Sequence, residues 1–599
     1  MHNELIAFAS HRFAALLILS LLLAPWTRAE SPATSEQTET PATVSLAYPA
    51  LGVSAKRKVD VAWNRFYTHA GLGDILARLH QAFPELTKPY SLGKSTEGRD
   101  LWCLEVTARN VGNPDRKPGM YLDGNIHGNE VQAGEAVAYT AWYLCHQYDR
   151  LDRVKTLLDN YVFYLVPMTN PDGRDFWLAN HDGAMSGRTG STPIDNDRDG
   201  VADEDDCEDL NGDGVVTMMR IKDPQGRYKP HPDYPNHMMV RVKPDEAGEY
   251  TLLGWEGIDN DGDGRVNEDG RGGYDLNRNW AWDWQPQYIQ YGAMNYPFSQ
   301  PECRAVADFA IAHPNIAASQ CFHNNGGMIL RGPGREGGEM KDSDGRLLAM
   351  IAERGEKILP YYRSMISWKD LYTTWGDEEA WFYGARGVLA YTCEMWTTSN
   401  LYKNGEEPSE EQEAEFVKHV LLDDGVVAWR PYNHPTYGPI EIGGLKKEWG
   451  RTPPSFLLEE ELHRCMAFAL YHASMMPVLR ISEVAIEPLG DRLFKVWVTI
   501  ENSRPMPTRT GQDIDHHISP PDIVSICGDG IKTLSGGLVT DRFFKRVRAA
   551  ESRPERVELD TLDGMETTRV QFIVEGSGPF TIIVDSAKGG LLQKEGSLP

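Results

Sequence analysis

The sequence predicts an α/β fold: a mixed central sheet with helices on both faces, an acidic insertion, and a C-terminal all-β, sandwich-like segment. Three observations predict it. Strand and helix patterns alternate from about residue 51 to 185. Residues 186–271 are dense in Asp, Gly and Asn and break that pattern. Beyond Pro477, Phe494, Val496, Val498 and Ile500 alternate with Lys495, Trp497 and Thr499, the period of a half-buried strand. A chain of 599 residues also exceeds what one core organises, so two or more domains are expected.

Taken in order, the chain opens with His11 and Arg12 ahead of the apolar run Phe13–Leu23. Thr27-Arg28-Ala29 then offers small residues for cleavage after Ala29. This predicts a signal peptide over 1–29 and a secreted or periplasmic location. A retained anchor is the alternative, and the run is short for a membrane span. Residues 30–50 read as a solvated linker. Leu101–Val106 is a strand, Tyr121–Gly124 another, Val131–Tyr148 a helix, and Tyr161–Met168 a wholly apolar buried strand. Further strands are expected at Ala317–Phe322 and Val388–Thr392, and a helix at Leu457–Tyr471. The main α/β domain is thus 51–477, with the insertion at 186–271 inside it, and the β domain is 478–599.

A net charge of −27 argues against nucleic acid or an anionic membrane as partner. After signal removal no segment is expected to span a membrane. The eight cysteines have no close-spaced pairs, and Cys103, Cys321, Cys393 and Cys465 sit in apolar runs as small buried residues. Neither a disulfide pairing nor an oligomeric state follows from the sequence.

Chemistry concentrates at strand ends. Asp123-Gly124-Asn125-Ile126-His127-Gly128-Asn129-Glu130 places an imidazole and a carboxylate three residues apart on a turn after a strand, half of a mononuclear zinc site. Thr169-Asn170-Pro171-Asp172-Gly173 follows the next buried strand. Asp275-Leu276-Asn277-Arg278-Asn279 can present an amide and a guanidinium fork to a carboxylate. His323 ends the strand Ala317–Phe322 as a third candidate ligand. Glu394 ends an apolar strand beside Met395 and Trp396, where a raised pKa would suit a general base.

This order of motifs resembles the zinc metallocarboxypeptidases of the carboxypeptidase A/B-like family, over residues from about 60 to 430. GNIHGNE is most similar to the carboxypeptidase E/N/D-like branch, in which a small β-sandwich follows the catalytic domain. The resemblance implies that His127, Glu130 and His323 hold Zn²⁺, that Glu394 is the general base and acid, and that Asn277 and Arg278 bind the substrate's terminal carboxylate. It implies that Tyr372 is the mobile tyrosine over the substrate. It implies an arginine for the oxyanion, which is Arg188 on the Gly187-Arg188…Asp195 spacing, with Arg220 as the rival. After His323, Asn324-Asn325-Gly326-Gly327 lacks the acidic residue expected for basic-residue specificity. Asp377, Glu378 and Glu379 are either pocket residues or a solvated acidic turn.

Within the insertion, Asp195, Asp197 and Asp199 precede Gly200, with Asp206 at the twelfth position. Asp209, Asn211 and Asp213 repeat the spacing, as do Asp259, Asp261 and Asp263. Oxygen ligands at alternate positions before a glycine are the pattern of calcium loops, here with no core of their own and no flanking helices of the EF-hand kind. The reading is an exported zinc-dependent carboxypeptidase with bound Ca²⁺, acting on peptide or protein C-termini. Two alternatives stay open: a zinc amidohydrolase on the same fold, and an inactive calcium-dependent surface-binding protein.

Overall fold

The computed structural model describes residues 50–52, 57–179, 183, 185–196, 198–541, 543–544 and 546–599. The signal segment, nearly all of the linker, and Asp197 of the first acidic loop lie outside these residues. No described helix is long and apolar enough to cross a membrane.

The central sheet has eight strands, in the spatial order Thr87–Lys94, Asp100–Val106, Val162–Val166, Gly119–Gly124, Ile316–Asn324, Leu389–Met395, Met328–Arg331 and Arg363–Ile366. Its middle strands run parallel, and parallel strands are covered on both faces. That explains why Val162–Val166 and Ile316–Asn324 are buried at every position. Each Val, Leu, Ile or Phe so enclosed contributes about 1.5–3 kcal/mol relative to exposure. The helices Gln132–Gln147 and Ser455–Ala473 cover one face. Pro301–Ala312 and Glu378–Arg386 cover the other. The register aligns Asp123 with Cys321, and His323 with Glu394. Three parallel strands therefore end together, and ligands bind at such carboxyl ends.

The insertion is not loops alone. Met218–Lys222, Tyr228–Pro230, Met239–Arg241 and Tyr250–Trp255 pair with Val426–His434 and Gly438–Leu445 in a second, six-stranded sheet. Met219, Ile440 and Ile442 form its small core. The strands between the acidic loops, which the broken pattern of 186–271 does not predict, share this core with Ile440 and Ile442. These strands are short, and the link to the rest of the sheet, Met218–Lys222 against Gly438–Leu445, joins segments far apart in the chain, so no local period announces them.

The C-terminal part is a sandwich of one five-stranded and one four-stranded sheet, both mainly antiparallel. Val496, Val498, Ile500, Phe572, Val524 and Ile582 meet between the sheets. Lys588 fastens it to the rest of the chain. Its buried Nζ donates to Arg386 O and Gly387 O, both 2.9 Å away, at the C-terminus of the helix Glu378–Arg386. The same ammonium pairs with Asp513 Oδ2 at 2.7 Å.

Candidate active site

The segment 124–130 forms a tight turn after its strand. Asn125 takes a left-handed conformation, φ 62°, and its amide donates to His127 O and Gly128 O. The fully buried Arg174 holds Asn125 Oδ1 at 2.7 Å. Gly128 is dictated by close approach, because a Cβ there would collide with Gly187 O and the Gly173 backbone. Gly128 N also donates to Arg188 O. Three motifs distant in sequence are thus packed backbone to backbone, and this brings Arg188 to the turn.

His127, Glu130 and His323 converge, each at most 4% exposed. His127 Nδ1 lies 3.0 Å from Glu130 Oε1, His323 Nδ1 lies 3.1 Å from Glu130 Oε2, and the two Nδ1 atoms are 3.1 Å apart. His127 turns its other nitrogen to Asp275 Oδ1 at 2.9 Å. That contact fixes the ring and aims the Nδ1 lone pair inward, as a partner outside the ligand set does for a metal-binding histidine. Two imidazole nitrogens and a carboxylate face one point, a donor set that fits tetrahedral zinc with a position left open. Burial opposes ionisation of Glu130, but the two imidazoles outweigh it and hold its carboxyl well below the ordinary range. Asp275 is likewise held low against burial, by His127, Arg278 and Arg188.

Glu394 stands opposite His323 in the sheet register and is half-buried. Burial first, then the charge of Glu130, pushes its carboxyl up to about 7, against the pull of His323, Arg188 and Arg451. Arg188 Nη1 lies 2.8 Å from Glu130 Oε1. Arg220 instead pairs with Glu441 in the six-stranded sheet, sandwiched between the Tyr250 and Trp429 rings. Of the two candidate arginines, the structure brings only Arg188 to the cluster. Asn277 and Arg278 sit on the short turn Leu276–Arg278, both buried. Asn277 Oδ1 accepts from Glu378 N at 2.8 Å, which leaves its NH₂ as the outward group. Tyr372 is 52% exposed at the end of a helical turn.

Asp377, Glu378 and Glu379 are buried, which overturns the solvated-turn alternative. Asp377 caps the helix that follows through Ala380 N, and Glu379 accepts from Gly332 N. Sequence reasoning missed Asp275 and Arg451, whose Nη2 is 3.7 Å from Glu130 Oε1. Asp275 lies two residues before the Asn-Arg pair, a usable signal. Arg451 sits in no motif.

In the acidic insertion, Gly200 N, Gly214 N and Gly264 N donate to Asp195, Asp209 and Asp259 at 2.9–3.1 Å, so the three loops share one turn. The first and third also face each other: Asp203 N donates to Asp269 Oδ2, and Asn267 N to Asp205 Oδ2. Asp199, Glu204 and Asp261 bring oxygens together, as do Asp259, Asp261 and Asp263. Asp206 accepts from Cys207 N, and Asn211 and Asp213 shape the second loop.

The sequence model of the family described as zinc carboxypeptidase matches residues 73–208 and 246–416. The chain belongs to the zinc carboxypeptidase family. A second match, over residues 478–597, is to a domain of unknown function. The chain is 35% identical over 136 residues to carboxypeptidase Z of Mus musculus, covering 22% of this chain and 21% of that protein. It is 29% identical over 157 residues to carboxypeptidase E of Caenorhabditis elegans, covering 26% of this chain and 33% of that protein. These matches span a fifth to a third of those relatives' length. The crystal structure of thrombin activatable fibrinolysis inhibitor aligns at 16% identity and TM-score 0.42, over 70% of this chain and 79% of that one.

Proposed function

We propose that the protein is an exported zinc-dependent carboxypeptidase that removes residues from peptide C-termini. The observation that carries this reading is the buried convergence of His127, Glu130 and His323 beside Glu394, at the shared end of three parallel strands. His127, Glu130 and His323 would hold the zinc, which would act as a Lewis acid toward the carbonyl and make water more acidic. Glu394 takes the proton of the attacking water and returns it to the leaving amine as the C–N bond breaks, a task for a group poised near 7. Arg188 supplies positive charge where the oxyanion develops. Asn277 and Arg278 take the terminal carboxylate, and Tyr372 covers the substrate. Export rests on the apolar run after His11 and Arg12.

The testing experiment is hydrolysis of an N-blocked dipeptide beside the same dipeptide with an amidated C-terminus. The free acid should be strongly preferred, whereas a zinc amidohydrolase indifferent to that carboxylate would cleave both. Arg278→Ala should lower kcat/KM on the free acid by about 3 kcal/mol, the scale of a lost charge-assisted bond. The loss should be much smaller on the amide, and equal losses on both would make Arg278 structural.

The Asp-rich loops are proposed calcium sites. Burial and the neighbouring Asp269 push Glu204 to about 7, and burial and Asp205 do the same to Glu268. The loops therefore hold carboxyls against one another, a repulsion that a hard dication relieves. Excess calcium should stabilise the fold by about 2.7 kcal/mol per site at a hundredfold excess over Kd. A Tm unmoved by added calcium, or by a chelator that spares zinc, would leave these loops as acidic surface.

A further inference from the structure

Beneath the His127–Glu130–His323 cluster the same strands carry a second set of ligand atoms. Asp123 precedes His127 by four residues, Cys321 precedes His323 by two, and Glu378 opens the helix Glu378–Arg386. Asp123 and Cys321 are direct partners in the sheet register. All three are 1% exposed. One ligand atom from each lies within 4.8 Å of the others.

The orientation of these groups is fixed from outside. Asp123 Oδ2 accepts from Thr169 Oγ1 at 3.1 Å and Tyr121 OH at 3.2 Å. Its Oδ1 receives no donor, nor does either oxygen of Glu378. One oxygen of Asp123 and one of Glu378 thus lie within 4.8 Å of each other and of the Cys321 sulfur. Burial and mutual repulsion push Glu378 well above the ordinary range and raise Asp123. Such a cluster requires a shared proton or a cation, because unpaired buried charge is costly.

We propose that Asp123, Cys321 and Glu378 form a second metal site, structural in role, for a borderline-soft divalent cation of the zinc class. The thiol decides the class: calcium and magnesium take oxygen ligands, whereas zinc accepts thiolate, imidazole and carboxylate together. The hydroxyls of Thr169 and Tyr121 do for Asp123 what Asp275 does for His127. Binding displaces the thiol proton and any proton held between the carboxyls. The ion ties the start of the helix Glu378–Arg386 to the sheet, and Glu378 N in turn holds Asn277. The site stands whether or not the protein is a peptidase.

The test uses full-length protein and Co²⁺, supplied both during expression and by titration after chelator stripping. With the Asp-rich loops kept filled by excess calcium, two equivalents should bind, with a near-ultraviolet sulfur-to-cobalt charge-transfer band that a His–Glu–His set cannot give. Cys321→Ser should abolish the band and one equivalent while the other remains. Glu378→Gln keeps the thiol and the packing, and should weaken that same equivalent by at least about tenfold. His323→Ala should remove the other equivalent and leave the band, so failure at either site is read separately. One equivalent and no band in folded wild-type protein, by both routes, would overturn the proposal and assign the cluster to a shared proton.

Discussion

Replacing Glu394 by Gln should lower kcat by at least about 10²-fold while KM and metal content stay near wild type. The substitution keeps the size and one oxygen of the side chain but removes the base. The expectation rests on how the cleft divides its carboxylates. Glu130 is held ionised by two imidazoles, and Asp275 by an imidazole and two guanidinium groups. Carboxylates held so low accept protons poorly. Glu394 is pushed up to about 7 by burial and by Glu130, so it alone of the three combines position with basicity. Pre-steady-state and steady-state assays on the blocked dipeptide, with metal content measured in parallel, check this. A near-normal kcat would mean that another group accepts the proton.

His323→Ala should cost the protein the metal equivalent at the His–Glu–His set and, with it, activity. Two donors remain, and a mononuclear site with three protein ligands does not tolerate the loss of one. The vacated volume also removes a charge partner of Glu130, which is 2% exposed. That carboxylate then faces His127, Arg188 and the more distant Arg451. Elemental analysis of the purified variant, together with a thermal melt to show that it folds, gives the answer. Full occupancy and activity would remove His323 from the ligand set.

The sequence makes the central sheet legible for a physical reason: a parallel strand buried on both faces can read as a continuous apolar run, and Val162–Val166 is of that kind. The convergence of His127 and Glu130 is legible because one turn holds both. His323 and Glu394 are legible as polar residues that end apolar strands. What stayed hidden depends on distant segments. Arg451 reaches Glu130 across more than three hundred residues of chain. Strands such as Tyr228–Pro230 and Met239–Arg241 are three residues each, too short to show a period. The acidic run at 377–379 stays ambiguous in sequence because distant segments enclose part of it: Glu378 meets Asp123 and Cys321, and Glu379 accepts from Gly332 N.

The clasp made by Lys588 ties the C-terminal sandwich to the turn that carries Asn277. Its ammonium holds the last carbonyls of the helix Glu378–Arg386, and the first backbone N–H of that helix holds Asn277. One rigid rod, nine residues long, therefore runs from the sandwich to the residue proposed to greet the substrate. Gln512 grips the same rod at Gly384 O, and Thr510 grips it at Gly387 O. Loosening this clasp should therefore be felt at Asn277 as well as in the sandwich. A substitution at Lys588 or Asp513 strips a buried ion pair of one partner, so its effect starts at this clasp and reaches the far end of the helix from there.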